Sequence, residues 1–398
     1  MQLDLFNRVP DTLRLKLELF EAYYLCRSNK RNTNSALAFE LNFESHLLTL
    51  ADDIIRGTFN PDPCIAFIVR RPVQREVFAA SFRDRVVHHW LVGKVNPLFE
   101  HLFVEDSYAC RVGKGTLYGI QRVAQKMADG LKQNNGNFYA LKLDVRGFFM
   151  HIQRTKLMQK LTRFLKSKYH GDDLGLVLEI AAALIFHKPE QNCIIQGRRS
   201  DWTGLPRDKS LFHSPPDCGL PIGNLTSQVL ANFYLHSFDV FVRDELGIDC
   251  YGRYVDDFIL MDKEPQKLKS LIPRIKLFLY DELGLTLHPR KVYFQHCNKG
   301  VLFLGAFVKP GRLLLGRRTK GRFYECLNQY NDMLQDLGNV SYPERWLAFR
   351  SSVNSYLGLM VHLKTFKLRR KMLEDVMHPE WKKVFKIRSD FGAISKKN

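Results

Sequence analysis

The sequence predicts an α+β fold, with short strands set among long helices, and three observations carry the prediction. The first is a strand, turn and strand running from Ile248 through Tyr254-Val255-Asp256-Asp257-Phe258 to Met261, with two adjacent carboxylates set between apolar residues. The second is Phe138-Tyr139-Ala140-Leu141-Lys142-Leu143-Asp144-Val145, a strand-like run opened by the turn signal Asn134-Asn135-Gly136-Asn137 and carrying an aspartate at its end. The third is the helical periodicity of the long segments around these short strands.

In chain order, residues 11–60 read as helical, and Pro61-Asp62-Pro63 ends that region. Cys64-Ile65-Ala66-Phe67-Ile68-Val69 reads as a strand and leads into Arg70-Arg71-Pro72-Val73-Gln74-Arg75. Amphipathic helices are expected over 85–105 and 116–130, and mostly helix over 155–188. Residues 189–221 are rich in Gly, Pro, Asp and Ser and read as loop. A helix is expected from about Leu225 to Leu246, then the aspartate hairpin, a helix over 265–283 and short strands up to 310. Residues 311–398 read as helical and hold about half of the net positive charge. No internal repeat or low-complexity tract interrupts the chain.

The chain has 398 residues, is 45% apolar and carries a formal net charge of +19. That apolar content supports a sizeable core and argues against global disorder. The charge points to a polyanionic partner, nucleic acid first. Eight cysteines are scattered singly, without a Cys-x-x-Cys pair, which disfavours a structural zinc and fits a reducing cytoplasm. The N-terminus lacks the pattern of a signal peptide, and no apolar run approaches a membrane span, so no membrane partner is expected.

Two aspartates at a hairpin tip repel each other unless cations neutralise them. Mg²⁺, which prefers hard oxygen ligands and accompanies phosphates, is the obvious candidate. Asp144 adds a third carboxylate, and three carboxylates suit two Mg²⁺ ions acting at a triphosphate.

Taken in order, the motifs resemble those of reverse transcriptases. Asp144 with Phe149 five residues on is similar to the first palm motif, and Tyr254-Val255-Asp256-Asp257 to the catalytic hairpin. Gly219-Leu220-Pro221-Ile222-Gly223-Asn224-Leu225-Thr226-Ser227-Gln228 resembles the loop and helix start beneath template and nucleotide. Leu283-Gly284-Leu285-Thr286-Leu287-His288-Pro289-Arg290-Lys291 and Phe303-Leu304-Gly305-Ala306 resemble the next motif and the primer grip. Arg83-Asp84-Arg85-Val86-Val87-His88-His89 and Asp106-Ser107-Tyr108-Ala109-Cys110-Arg111 are similar to fingers blocks of bacterial and group II intron enzymes. The match runs over about residues 60–310.

The resemblance implies a right-hand polymerase, its palm an antiparallel sheet over helices. Residues 1–60 would be an N-terminal helical extension, 61–310 fingers and palm, and 311–398 a helical basic thumb. It implies RNA-directed DNA polymerisation with two Mg²⁺ ions, Mn²⁺ serving as a substitute, and a metal set of Asp144, Val145, Asp256 and Asp257. Lys291 would protonate the leaving pyrophosphate, or else be a solvated lysine. Arg75, with Arg70 or Arg71, would clamp the triphosphate of the dNTP. Phe149 would lie beneath the sugar and exclude a 2′-hydroxyl. Gly223 would let backbone approach the substrate, with Ile222 and Gln228 beside it. Arg111 and the thumb residues Lys364, Lys367 and Arg370, near Tyr356, Gly358 and His362 on an expected thumb helix, would meet template RNA and the RNA/DNA duplex.

Ile222-Gly223 and Ser227-Gln228 stand where most relatives have Gln-Gly and Ser-Pro. Ile-Gly-Asn-Leu-Thr-Ser-Gln, Ser107-Tyr108-Ala-Cys-Arg-Val-Gly-Lys-Gly115 and Arg198-Arg-Ser-Asp-Trp202 resemble diversity-generating retroelement enzymes. These serve mutagenic retrohoming, misincorporate opposite template adenine and work with a small basic accessory protein. Retron and phage-defence reverse transcriptases share parts of the pattern and remain an alternative. A catalytically idle RNA-binding scaffold is a further one, disfavoured by three intact aspartates.

Overall fold

A computed structural model describes residues 11–28, 33–70, 73–334 and 342–397. The chain opens with helices α1 (Asp11–Arg27), α2 (Asn34–Glu40) and α3 (Phe43–Ile55). Strands β1 (Cys64–Val69) and β2 (Arg75–Ala79) follow, then α4 (Phe82–Leu102), α5 (Thr116–Gln133) and β3 (Tyr139–Asp144). Next come α6 (Phe148–His151), α7 (Arg154–Lys168), α8 (Leu174–Phe186), β4 (Cys193–Ile195) and α9 (Leu225–Val240). The hairpin β5 (Cys250–Tyr254) and β6 (Asp257–Asp262) precedes α10 (Pro265–Leu283), β7 (Tyr293–His296), β8 (Val301–Phe303), β9 (Ala306–Lys309) and β10 (Arg312–Leu315). The last elements are α11 (Arg317–Asp332), α12 (Tyr342–Met360), α13 (Phe366–Lys371), α14 (Pro379–Val384), β11 (Phe385–Ile387) and β12 (Ile394–Lys396).

Three stretches differ in detail from the sequence reading. α9 ends at Val240 and passes into one π-helical turn, Phe241–Glu245, before Gly247 reverses the chain at φ +61°. The loop-rich stretch 189–221 contains β4, which pairs in parallel with β1. The stretch expected to be helical from 311 on also holds β10 and the hairpin β11–β12. The strands of that hairpin have three residues each, too short for their period of two to stand out.

The described residues form two compact units. The first takes the chain up to Cys110, then Asp144–Glu245 and Pro273–Pro289; the second takes Arg111–Leu143, Leu246–Ile272 and the chain from Arg290 on. In the first unit α4 packs against α1 and α9. There Phe99 stacks on Phe233 with ring centroids 4.6 Å apart. Its sheet has the order β2-β1-β4. Ser81 caps α4, its Oγ accepting from the Asp84 amide at 3.1 Å.

The second unit contains the four-stranded sheet β5-β6-β3-β7 and the antiparallel meander β8–β10. Pairing is antiparallel between β5 and β6 and between β3 and β7. The helices after β10 enclose a separate apolar core around Phe323, Phe349, Leu357, Met372 and Trp381, with Phe349 and Trp381 stacked at 4.1 Å. Among the described residues no helix is long and apolar enough to cross a membrane.

Candidate active site

In the second unit the hairpin β5–β6 is anchored at several points. Tyr254 and Asp257 are register partners and flank Val255 and Asp256. Val255 has φ +56°, a left-handed conformation that a β-branched residue adopts only under strain. The fully buried Arg253 secures the turn, donating from Nη1 to the Val255 carbonyl at 3.2 Å. Lys126 of α5 donates to the carbonyls of Asp249 and Tyr251, both at 3.1 Å. The Thr116 hydroxyl lies 3.4 Å from that of Tyr254.

Beside β6 in the sheet runs β3. Ala140, Leu141 and Leu143 of β3 are fully buried, while Lys142 points its ammonium at the hairpin tip, Nζ lying 3.0 Å from Oδ1 of Asp257. Sequence reasoning missed Lys142. The available signal was its place two residues before Asp144, hence on the same strand face, as a cation among apolar neighbours.

Asp144 ends β3 and belongs to the first unit, where its carbonyl accepts from the His288 amide at 2.8 Å. Val145 is buried and bridged to Leu287, so its backbone carbonyl is the one group it could offer a metal. Among the described residues no three His, Cys, Asp or Glu side chains form a cluster able to hold a metal. The donor chemistry at the tip nonetheless suits Mg²⁺: Asp256 and Asp257 are hard oxygen donors, and an Asp257 oxygen already faces a cation.

The other expected nucleotide residues lie in the first unit. Phe149 and Ile222 pack on one small apolar cluster with Cys64, Ala66, Phe78, Met150 and Leu211. Phe148, beside Phe149, is buried. Gly223 has φ +127°, and a Cβ there would lie 2.7 Å from the Phe78 carbonyl oxygen. The close approach this glycine permits in the chain is therefore to β2. Gln228 is exposed near the start of α9, its Oε1 accepting from the Cys110 thiol at 3.3 Å.

Arg70 directly follows β1 and Arg75 begins β2, at the end where the two antiparallel strands are joined. Arg70 pairs with Asp201 at 2.6 Å, and Gln74 donates to the carbonyls of Asp201 and Thr203. Arg75 is exposed and among the described residues has no ion-pair partner. Arg71 lies outside the described residues. Next to Arg75, Glu76 is buried and accepts from Trp202 Nε1 at 2.6 Å, Ser210 Oγ at 2.7 Å and the Leu211 amide at 2.5 Å. That network, also unforeseen, fastens the loop after β4 to β2.

Burial governs titration at the start of α4. It pushes the Asp84 carboxyl up to about 7, helped by the charge of Asp62 and opposed by the Asp62 amide and Arg83. It holds the His88 imidazole down at about 3, with His89, His187 and Arg85 adding to the effect. His88 Nδ1 lies 2.8 Å from the hydroxyl of Thr226.

Lys291 is exposed in the turn before β7, and Arg111 is half-buried ahead of α5. Lys364, Lys367 and Arg370 are exposed on or just before α13, with Arg370 also paired to Glu374 at 2.7 Å. Tyr356 and Gly358 lie on α12, whereas His362 falls in the turn beyond it. The neighbouring Arg369 is buried and donates to the Asp390 carbonyl at 2.6 Å, a structural use of that cation.

The profile of the family described as reverse transcriptase (RNA-dependent DNA polymerase) matches residues 74–308, more than half of the chain. The chain belongs to the reverse transcriptase family, and its mixed helix-and-sheet fold is that of a right-hand polymerase. Protein YkfC of Escherichia coli strain K12 is 21% identical over 311 residues, covering 70% of this chain and 73% of that protein. Among solved structures, an apo telomerase from Candida tropicalis truncated from its C-terminal domain aligns at 15% identity and TM-score 0.44, over 69% of this chain and 60% of that one. Telomerase from Candida albicans in complex with a fragment of telomeric RNA aligns at 11% identity and TM-score 0.45, over 85% of this chain and 62% of that one. The chain thus spans about 60% of those telomerase chains.

Proposed function

We propose that this chain is an RNA-directed DNA polymerase that copies a template RNA into cDNA. The observation that carries the reading is the Asp256-Asp257 hairpin tip, buttressed by Arg253 and Lys126, inside the span matched by the family. Asp144, Asp256 and Asp257 would hold two Mg²⁺ or Mn²⁺ ions, with the Val145 carbonyl as an added ligand. The ions would supply neutralisation of charge on the attacking and leaving oxygens. The chain's own part is positioning. Arg75 reaches for the triphosphate, while Arg70 does so on release from Asp201. Phe149 and Ile222 shape the floor under the sugar, and Lys291 delivers a proton to the departing pyrophosphate.

Residues 61–310 would act as fingers and palm, 1–60 as a helical extension and 311–398 as a thumb whose Lys364, Lys367 and Arg370 follow duplex phosphates, with Arg111 on the template. Ile222 supports the finer reading of an error-prone retroelement enzyme working with a small basic accessory protein. Primer extension on an RNA template with dNTPs and Mg²⁺ tests the proposal. Asp256→Ala is expected to lower extension by at least about a hundredfold with the fold intact. Comparable extension by wild type and variant would end it.

A further inference from the structure

We infer that Lys142 is a positioning residue that stands in for a metal ion at the hairpin tip, neutralising Asp257 when no metal is bound and weakening metal binding in proportion. The inference rests on the metal-dependent reading of the tip given above.

Asp256 and Asp257 are adjacent on a turn that cannot open freely, because Arg253 holds the turn carbonyl of Val255 and Lys126 holds β5. Without a cation, the two charges would repel at close range. Lys142 reaches Asp257 from β3, the next strand in the sheet, with both side chains about four-fifths shielded from solvent. At that burial an ion pair is screened less than a surface pair. Its anchor is rigid too, since Ala140, Leu141 and Leu143 around it are fully buried.

An ammonium at 3.0 Å from a carboxylate oxygen gives roughly the charge compensation of a bound cation, but it is tethered and carries one charge instead of two. A divalent ion taking Asp257 as ligand must displace that ammonium or bind beside it. Either route costs affinity, so the pair keeps the tip folded while empty and sets a threshold for loading.

The test is direct binding of Mn²⁺ alone, counted by the electron paramagnetic resonance of the free ion, without nucleic acid or dNTP. Lys142→Met is expected to tighten Mn²⁺ binding by at least about fivefold, since a nearby positive charge is removed. It should also lower the melting temperature in chelator and enlarge the rise that Mn²⁺ produces. Lys142→Gln, which keeps a long stem and a polar end, must show the same tightening, and Lys142→Arg should resemble wild type. In an Asp257→Asn background the substitution of Lys142 should leave Mn²⁺ affinity unchanged.

Equal or weaker Mn²⁺ binding by folded Met and Gln variants would overturn the inference, as would an unchanged gain in the Asp257→Asn background. Polymerase activity is not the readout, so the two proposals fail separately. A wild type unable to extend primers would remove the polymerase reading while leaving the metal shift standing.

Discussion

The Phe78 amide donates to the Ile222 carbonyl at 2.8 Å, tying the loop that bears Gly223 to the strand that bears Arg75. A change at position 222 is therefore made on a backbone tied to β2, and its effect should be chemical.

On the proposed reading, Ile222 would offer shape and apolar contact where an amide could hydrogen-bond near the incoming nucleotide. A correct pair would then gain less over a mispair. Ile222→Gln is expected to raise fidelity most at template adenines, with about 1.4 kcal/mol corresponding to a tenfold change in discrimination. Sequencing cDNA from both enzymes on one template checks this; identical error spectra would clear Ile222 of any role.

Replacing Lys364, Lys367 and Arg370 with Ala should weaken RNA binding evenly across sequences. Each lost phosphate contact should reduce the slope of log K against log salt by about 0.7–0.9. Arg370, already paired with Glu374, should contribute least of the three. Titrations at several salt concentrations measure the slope, and an unchanged value would mark these cations as a solvated face.

Two buried groups on α4 should make stability depend on pH in opposite directions. Folded Asp84 keeps its proton up to about pH 7, while unfolded it ionises near 3.8, so stability falls as pH rises across that window. Folded His88 stays neutral down to about pH 3, while unfolded it takes a proton below 6.5, so stability falls as pH drops below 6.5. Asp84→Asn removes the first effect. The stability of the variant relative to wild type should then grow by about 1.4 kcal/mol per pH unit from about pH 4 to 7 and level off above. Urea melts across that range test it, and a flat difference would refute the assignment to Asp84.

Glu76→Ala would strand three donors in the protein interior, Trp202 Nε1, Ser210 Oγ and the Leu211 amide. A loss of about 3 kcal/mol or more is expected. Glu76→Gln keeps an acceptor oxygen and should lose less. Chemical denaturation of the two variants gives the comparison, and a loss under about 1 kcal/mol for Ala would show that water replaces the carboxylate.

Elements whose signal is local were legible in the sequence. β1 begins at Cys64, just after Pro63, and ends at Val69, just before Arg70, because a run of apolar and β-branched residues is bounded by a helix breaker and charge. The aspartate hairpin and α10 fall where turn chemistry and helical periodicity put them. What stayed hidden joins residues far apart. β4 pairs with β1 across more than a hundred positions, through three residues that read as loop. Arg70 meets Asp201, and Glu76 meets Trp202 and Ser210, over similar separations. Lys142 was invisible as a partner of Asp257 because strand order decides which carboxylate it faces.

The chain crosses between its two units five times, at positions 110, 143, 245, 272 and 289. During synthesis the first unit is incomplete until Pro289 has left the ribosome, which at roughly 5–20 residues per second takes about 15–60 s. Until then α9 lacks Leu283, whose carbonyl accepts from the Tyr234 hydroxyl at 2.6 Å. No single cut in the gene therefore yields either unit whole.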